Sequence, residues 1–179
     1  MKRAAFLDRD GVINKANLVH GVPRPPTSVD EVVILDGVSE AITRLKEHNF
    51  VPVVITNQPD VARGRILHRT VTEMNEFIGN SLGIEHFYVC THDDQDFCSC
   101  RKPSTGLIDR AVSELNLDVA NSFLVGDRWK DIEAGQKSGC TNFFIDYTYP
   151  EKQPNTPFTQ VSSLLEAVNI MIGAKNAAK

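Results

Sequence analysis

Short apolar runs alternate with amphipathic segments along almost the whole chain, and this alternation limits the possible folds more than any other feature. The runs are rich in β-branched and aromatic residues, as is typical of strands buried on both faces. They cover residues 4–8, 51–56, 86–90, 122–127 and 142–146. Segments between them, such as 37–48 and 104–115, carry apolar residues at helical spacing. This βαβ order predicts a three-layer, Rossmann-like α/β fold, with a doubly wound parallel sheet and a ligand site beyond the carboxyl ends of its strands.

Two irregular stretches interrupt the alternation, each directly after a predicted strand. Residues 11–29, called the flap here, contain Gly21 and three prolines and show no period, so we predict a long loop after the first strand. Residues 90–103, the cysteine loop, are polar and acidic and follow the third strand. We predict no inserted cap domain, which leaves these two loops to cover the site. The length of 179 residues predicts one domain over residues 1–173, with a frayed tail at 174–179.

The charge balance restricts the partners that the chain can bind. The sequence has 19 Lys and Arg against 23 Asp and Glu, so its net charge of −4 provides no overall basic field for nucleic acid or an anionic membrane. No apolar run approaches the roughly 18 residues that span a bilayer, and Met1 leads directly into a strand-like segment. We therefore expect a cytoplasmic protein without nucleic-acid or membrane partners. The sequence gives no information on the oligomeric state, for which a monomer is the default expectation. Any anionic ligand needs a local pocket.

Two carboxylates follow the first predicted strand. Asp8 and Asp10 stand two residues apart, and Gly11 permits a sharp exit from the strand. Such a pair suits a nucleophile with a general acid and base, and its oxygens also suit Mg²⁺. An ordinary polar turn at a strand end is the alternative.

Hydroxyl and amide groups follow the second predicted strand. Thr56, Asn57 and Gln58 are the residues concerned, and their donors suit phosphate oxygens. A simple loop start is the other interpretation of these three residues.

Further charged residues stand after the fourth strand and before the helix at 104–115. Asp127 is a candidate metal ligand with Asp131 as its supporting partner, although Asp127 could instead cap a helix. Arg101 and Lys102 supply the cation that such a site needs, or else form a solvated basic pair.

Together these segments resemble the haloacid dehalogenase superfamily of phosphotransferases, and the agreement in order and spacing covers nearly the whole chain. The resemblance implies that Asp8 takes up the phosphoryl group of a small phosphorylated metabolite and that Asp10 is the acid and base. It also implies that Thr56 and Lys102 hold the transferring oxygens. Mg²⁺ would then be bound by Asp127, the Asp8 carboxylate and the Asp10 backbone carbonyl.

The cysteine loop contains a second metal-type pattern. Cys90, His92, Cys98 and Cys100 offer three thiolates and an imidazole within eleven residues, which matches a closed, structural Zn²⁺ site. Free thiols are the alternative, and a redox role is disfavoured because the sequence has no Cys-x-x-Cys. Cys140 stands apart and is interpreted as a small core residue.

The cysteine loop also directs attention to one branch of the superfamily. Lys102 follows Cys100 with only Arg101 between them, so a bound zinc ion would position the lysine without touching the chemistry. This arrangement resembles the capless branch that contains the heptose bisphosphate phosphatases and the histidinol-phosphate phosphatases. The segments FLDRDGVIN, ITNQ and CRKP are more similar to the former.

That resemblance implies substrate contacts for Arg63 and Arg101, and contact of Arg128 with the transferring phosphate. The pair Pro59-Asp60 departs from the Ser-Gly usual in the branch, which leaves the sugar open. A histidinol phosphatase remains the alternative, because acidic residues of the cysteine loop suit a cationic leaving group; they are Asp93, Asp94 and Asp96. A non-catalytic, zinc-stabilised binding module is a remote third hypothesis. The roles of His20, Arg24 and Trp129 stay open.

Overall fold

The computed structural model describes residues 1–176 as eight strands and five α-helices. The strands are β1 (Arg3–Leu7), β2 (Asn17–Val19), β3 (Val22–Arg24), β4 (Phe50–Asn57), β5 (His86–Cys90), β6 (Phe123–Gly126), β7 (Thr141–Ile145) and β8 (Thr159–Val161). The helices are α1 (Val38–Glu47), α2 (His68–Leu82), α3 (Gly106–Leu115), α4 (Trp129–Ser138) and α5 (Leu164–Asn176). Six of the strands form one parallel sheet in the order β5-β4-β1-β6-β7-β8.

The predicted doubly wound α/β fold is confirmed, and all five predicted strands belong to the sheet. The sixth strand, β8, was missed because it has only three residues, of which two are exposed. It therefore carries no apolar run that a sequence pattern could reveal.

Side chains of the strands alternate between two faces and build a core on each. In β1, Ala5 and Leu7 pack into the cluster that includes α1 and α5, whereas Ala4 and Phe6 pack into the cluster that includes α3 and α4. Both faces of the sheet are thus covered by helices, which explains why its strands read as continuous apolar runs.

The flap differs from the irregular loop that we predicted. It contains the antiparallel hairpin β2–β3, in which Asn17 pairs with Arg24 and Val19 with Val22. His20 and Gly21 form the turn, with φ of 51° and 78°, the left-handed conformation that tight hairpin turns require. The strands are short and partly proline, so they lack the alternating pattern by which a hairpin is recognised.

The helix boundaries lie close to the predicted ones. Helix α1 falls within the predicted 37–48, and α3 begins two residues later than the predicted 104. Helix α5 continues through residues 174–176 of the predicted tail, whereas residues 177–179 lie outside the described residues. Among the described helices, none combines the length and apolar character needed to cross a membrane.

Candidate active site

The carboxyl ends of β1, β4 and β6 gather the predicted chemical residues in one place. Strand β1 lies between the other two, so the chain winds outward in opposite directions from it. Ligands of such sheets bind at this switch point. Asp8 follows β1, and its backbone N–H donates to the carbonyl oxygen of Val125 in β6 at 3.0 Å. Asp8 is therefore held at the centre of the carboxyl-terminal edge of the sheet.

Lys102 reaches this centre from the cysteine loop and is fully enclosed. Its Nζ donates to Asp8 Oδ1 at 2.7 Å and to the carbonyl oxygen of Ile55 at 2.7 Å, and lies 2.6 Å from Asp131 Oδ1. Burial by itself lowers the pKa of the ammonium, but the carboxylates of Asp131 and Asp8 outweigh it and keep the pKa of Lys102 above its usual range. Lys102 thus carries a permanent positive charge between two carboxylates.

The pKa of Asp8 is set by burial and by the charges of its neighbours, which act in opposite directions. Burial, together with the nearby Asp131 and Asp10, raises the pKa of the Asp8 carboxyl from 3.8 to about 7, although Lys102 opposes the shift. In the metal-free protein the ionised form of Asp8 is therefore destabilised, and any further positive charge placed beside it would stabilise that form.

Close packing at this edge requires glycine at two positions. A Cβ on Gly11, whose φ is +96°, would lie 2.1 Å from Asp127 Oδ2. A Cβ on Gly126 would lie 2.2 Å from the Cβ of Asp131. These contacts give a physical reason for glycine after Asp10 and before Asp127.

Asp127 fits a divalent cation. Both of its carboxylate oxygens are buried and lack a well-formed hydrogen bond within the described chain. Burial raises the pKa of Asp127 well above 3.8, as do Asp8 and Asp131, and the hydroxyl of Tyr149 offsets this only in part. Potential ligand atoms of Asp8, Asp127 and Asp131 all lie within 4.8 Å of one another. Carboxylate oxygens at this spacing suit Mg²⁺.

The net charge of the inner site, the group of charged residues around Asp8, also suits a divalent cation. Its four carboxylates exceed its two cations by two negative charges, which is the charge that one divalent ion neutralises. The carboxylates belong to Asp8, Asp10, Asp127 and Asp131, and the cations to Arg9 and Lys102. Asp131 does not need to be a ligand itself, because its two oxygens contact Lys102 and the backbone N–H of Arg128. Arg128, not Asp127, occupies the N-cap position of α4.

Asp10 is held by donors from three residues. Its oxygens accept from the guanidinium of Arg9 at 3.1 Å, from Asn14 Nδ2 at 3.0 Å and from Gln58 Nε2 at 2.7 Å. Arg9 is completely buried and also donates to Asn75 Oδ1 in α2 at 2.9 Å. Sequence reasoning missed Arg9 because a charged residue between two aspartates looks like part of a solvated turn.

The polar residues at the end of β4 turn their amides toward the protein. Asn57 pairs with the backbone of Lys102, donating to its carbonyl oxygen at 3.0 Å and accepting from its N–H at 3.1 Å. Gln58 donates to Thr56 Oγ1 at 2.9 Å as well as to Asp10. Of the three, only Asn57 lines the cavity described next. Asn57 and Gln58 therefore orient Lys102 and Asp10, and phosphate contacts for the three residues stay a prediction.

A cavity of about 250 Å³ opens above Asp8. Its outer walls carry the three predicted substrate arginines, each already paired with a carboxylate. Arg63 donates to both oxygens of Asp93, with Nε–Oδ2 at 2.7 Å, and Arg101 Nε donates to Asp94 Oδ1 at 2.7 Å. Arg128 pairs with Glu151, which accepts from its Nε at 3.0 Å.

The four predicted zinc ligands converge in the cysteine loop. Cys100 Sγ lies 3.2 Å from Cys90 Sγ, 3.4 Å from Cys98 Sγ and 3.2 Å from His92 Nδ1, and Cys90 Sγ lies 3.7 Å from Cys98 Sγ. Tetrahedral Zn–S bonds of about 2.3 Å imply S···S distances of about 3.8 Å. The four side chains thus form a compact Cys₃His site. Cys140 is a buried thiol outside it, as predicted.

The loop after β7, residues 146–152, supports residues of the site from outside the cavity, and sequence reasoning did not find it. Tyr147 donates to the Gly11 carbonyl oxygen at 3.0 Å, and Glu151 holds Arg128. No chemical motif marks this loop. Trp129 does not line the cavity; Lys152 Nζ lies 3.5 Å from the centroid of its ring.

A parallel α/β sheet that places a buried lysine against a carboxylate, beside an acidic cluster suited to a cation, is typical of Rossmann-like enzymes that act on phosphate groups. Comparison with known proteins agrees. Residues 26–139 match the family model described as haloacid dehalogenase-like hydrolase. The chain belongs to the haloacid dehalogenase-like hydrolase family, and the predicted resemblance is confirmed.

Two relatives and one solved structure illustrate the similarity. The chain is 34% identical over 153 residues to a D-glycero-β-D-manno-heptose-1,7-bisphosphate 7-phosphatase from Pasteurella multocida, covering 79% of this chain and 80% of that protein. It is 32% identical over 150 residues to the enzyme of the same name from Haemophilus ducreyi, covering 77% and 79%. Its fold is similar to the heptose 1,7-bisphosphate phosphatase of B. bronchiseptica crystallised with magnesium and phosphate, with a TM-score of 0.83, 24% identity, and coverage of 96% and 99%.

Proposed function

We propose that the protein is a magnesium-dependent phosphatase in which Asp8 is the nucleophile and Asp10 the general acid and base. The observation that carries the residue assignment is the contact of Lys102 Nζ with Asp8 Oδ1 at 2.7 Å, beside the buried carboxylate of Asp127, whose oxygens lack a well-formed hydrogen bond within the described chain. A carboxylate so placed can approach a phosphate dianion only if positive charge surrounds the transferring group.

The reaction takes two steps. In the first, an Asp8 oxygen bonds to phosphorus, the ester P–O bond breaks, and Asp10 gives its proton to the leaving alkoxide. In the second, Asp10 takes a proton from water, which attacks the aspartyl phosphate and restores Asp8 with release of phosphate. Lys102 stays beside the reacting oxygens throughout. Bound Mg²⁺ supplies charge that reduces repulsion between Asp8 and the phosphate.

The substrate that we propose is a sugar bisphosphate, with D-glycero-β-D-manno-heptose 1,7-bisphosphate losing its 7-phosphate as the leading candidate. The names of the relatives support it, and so does the charge of the outer wall. Among the described residues, the cations that line this wall outnumber by one the carboxylates paired with them, so the wall keeps positive charge for a second phosphate. The cations are Arg24, Arg63, Arg101, Arg128 and Lys130, and the carboxylates are Asp60, Asp93, Asp94 and Glu151.

Histidinol phosphate is less well supported. Its ammonium needs a free carboxylate, but Asp93 is engaged by Arg63, and Asp94 by Arg101 and Lys130 at 2.7 and 3.2 Å. Asp96 accepts from the backbone N–H of Asp93 and does not line the cavity. A panel of heptose 1,7-bisphosphate, sugar monophosphates and histidinol phosphate, assayed with and without Mg²⁺, tests the assignment. A higher kcat/KM for histidinol phosphate would overturn the substrate, and no magnesium-dependent release of phosphate from any ester would favour the non-catalytic hypothesis. The cytoplasmic location and the monomeric state stay predictions.

Arg63→Ala is expected to separate recognition from chemistry. Because a guanidinium can bind two oxygens of a remote phosphate, its loss should raise KM for heptose 1,7-bisphosphate about tenfold. KM for p-nitrophenyl phosphate should stay within about twofold, since that ester has no second phosphate. Arg110→Ala, which removes an exposed arginine paired with Glu114 on α3, is the matched control. An equal rise in KM for both esters would contradict the assignment.

We also propose that the Cys₃His site binds one structural zinc ion. Its role is to hold the cysteine loop in place. The loop in turn positions Lys102 at the centre of the site, Asp93 in its ion pair with Arg63, and Asp94 in its ion pair with Arg101. A structural metal ion of this kind orients side chains without taking part in the reaction, so it leaves the magnesium requirement unchanged.

Metal analysis of protein purified without chelators should find about one zinc ion per chain, because four ligands complete its coordination. Cys98→Ser should lower the zinc content and reduce kcat/KM about tenfold or more through misplaced Lys102, with the same Mg²⁺ dependence. Cys140→Ser is the control, since that thiol lies outside the cluster. Full activity in zinc-free protein would show that the loop needs no metal.

A further inference from the structure

One wall of the cavity is formed by the flap, and that wall is apolar except for Arg24. The flap residues that line the cavity are Ala16, Val22, Pro23, Arg24 and Pro25. Proline has no backbone N–H, so the two prolines beside Arg24 offer no donor to a ligand. Any anionic group that approaches this wall meets the Arg24 guanidinium as its charged partner. The prolines also restrict the backbone on both sides of Arg24.

Arg24 belongs to a cluster in which the carboxylate of Asp60 is shared. Asp60 is 7% exposed, and its Oδ1 lies 2.9 Å from Arg65, 3.5 Å from Arg63 and 4.0 Å from Arg24. Three guanidinium groups therefore face one buried carboxylate, which cannot neutralise all of them.

Asp93, the other carboxylate nearby, does not neutralise Arg24. Asp93 is engaged by Arg63 through both oxygens, and Arg65 takes the short contact with Asp60. Arg24 is left with a contact at the outer limit of an ion pair, and about a third of its side chain is exposed. Its charge is the one in this cluster that a ligand can engage without breaking a short ion pair.

We propose that Arg24 is a specificity-determining residue that binds the anionic group of the substrate distant from the reacting phosphoryl group, and that Asp60 positions it. This inference rests on the proposed function, because it assumes a substrate with two phosphates. Asp60 links the flap to the loop that follows β4 and holds Arg24 beside Arg63. A remote phosphate is thereby received by two neighbouring guanidiniums, one from the flap and one from the loop that follows β4.

Binding to a catalytically inactive protein tests this directly. In the Asp8→Asn background, the dissociation constants of heptose 1,7-bisphosphate and heptose 7-phosphate are measured by calorimetry in the presence of Mg²⁺. Arg24→Met should weaken binding of the bisphosphate about tenfold or more, as expected for loss of a charge-assisted pair, and leave the monophosphate within about twofold. The unchanged monophosphate would show that the flap is still folded. Arg24→Lys should recover part of the loss.

Two further variants separate ligand contact from a purely structural role. Arg65→Met removes another arginine of the same cluster that does not line the cavity, and should leave both dissociation constants unchanged. Asp60→Asn should weaken binding of the bisphosphate alone, by less than Arg24→Met. The proposal is overturned if Arg24→Met weakens both ligands equally, affects neither, or is reproduced by Arg65→Met. Failure of the proposed function is distinct: the unmodified enzyme would then not hydrolyse the bisphosphate in preference to other esters.

Discussion

Asp8→Asn is expected to abolish turnover while leaving the protein folded, with kcat at least about a thousandfold lower for every ester tested. The amide is isosteric with the carboxylate and can still accept a hydrogen bond from Lys102, but it is not nucleophilic enough to take up the phosphoryl group. Zinc content and far-UV circular dichroism should match those of the unmodified protein.

The same substitution should stabilise the metal-free protein at pH 8, and the sign follows from the pKa. Burial raises the pKa of Asp8 from 3.8 to about 7, so the folded state binds an additional proton between these values and loses stability as pH rises through them. Asparagine has no such loss. Urea titrations at pH 5 and pH 8 should therefore show the variant gaining relative to the unmodified protein as pH increases.

Two outcomes would count against the assignment of Asp8. One is residual activity above about a thousandth in a preparation that mass spectrometry shows to be free of deamidation. The other is a variant that is less stable than the unmodified protein at pH 8, because it would mean that the Asp8 carboxylate contributes to folding instead of opposing it.

Lys102→Met is expected to lose activity to a similar degree and to change stability in the opposite direction. The ammonium contacts Asp8 at 2.7 Å and Asp131 at 2.6 Å inside the protein. Removing it leaves buried carboxylates without a counter-charge, which costs about 3–5 kcal/mol of the free energy of unfolding in metal-free protein at pH 8. Because Mg²⁺ also neutralises these carboxylates, saturating Mg²⁺ should recover part of this loss.

Two comparison variants make the Lys102 experiment specific. Lys137→Met removes a half-exposed lysine paired with Glu133 at 2.8 Å, and should change stability by at most about 0.5 kcal/mol. Adding Asp131→Asn to Lys102→Met should restore stability without activity, because one uncompensated carboxylate is removed with the lysine. If Lys102→Met were as stable as the unmodified protein in the absence of Mg²⁺, Lys102 would not be the counter-ion that its contacts indicate.

Much of the fold and the inner site could be predicted from local patterns. Strands buried on both faces must be continuous apolar runs, so the sheet was visible in the residues themselves. In a parallel sheet, residues that follow central strands meet at one edge, which brings Asp8 and Asp127 together without any knowledge of distances. The Cys₃His pattern is equally local, since its four ligands lie within eleven residues.

Other parts of the site depend on segments that are distant in sequence. The amide of Asn57 pairs with the backbone of Lys102, 45 residues away, and the amide of Gln58 pairs with Asp10, 48 residues away. An amide side chain has the same donors whether it binds a phosphate or another part of the protein. Which partner it binds depends on the residues that the folded chain places next to it.

The sequence by itself therefore determined the layer architecture, the positions of the strand ends and the chemical identity of the inner site, because each depends on residue type and short spacing. Tertiary structure alone decided which charges neutralise one another: Lys102 with Asp131, Arg63 with Asp93, and the incomplete pairing of Arg24 with Asp60. The physical reason is that ion-pair energies depend on distances of a few ångströms between atoms far apart along the chain. Such distances have no local signature, and here they set which cations remain for a substrate.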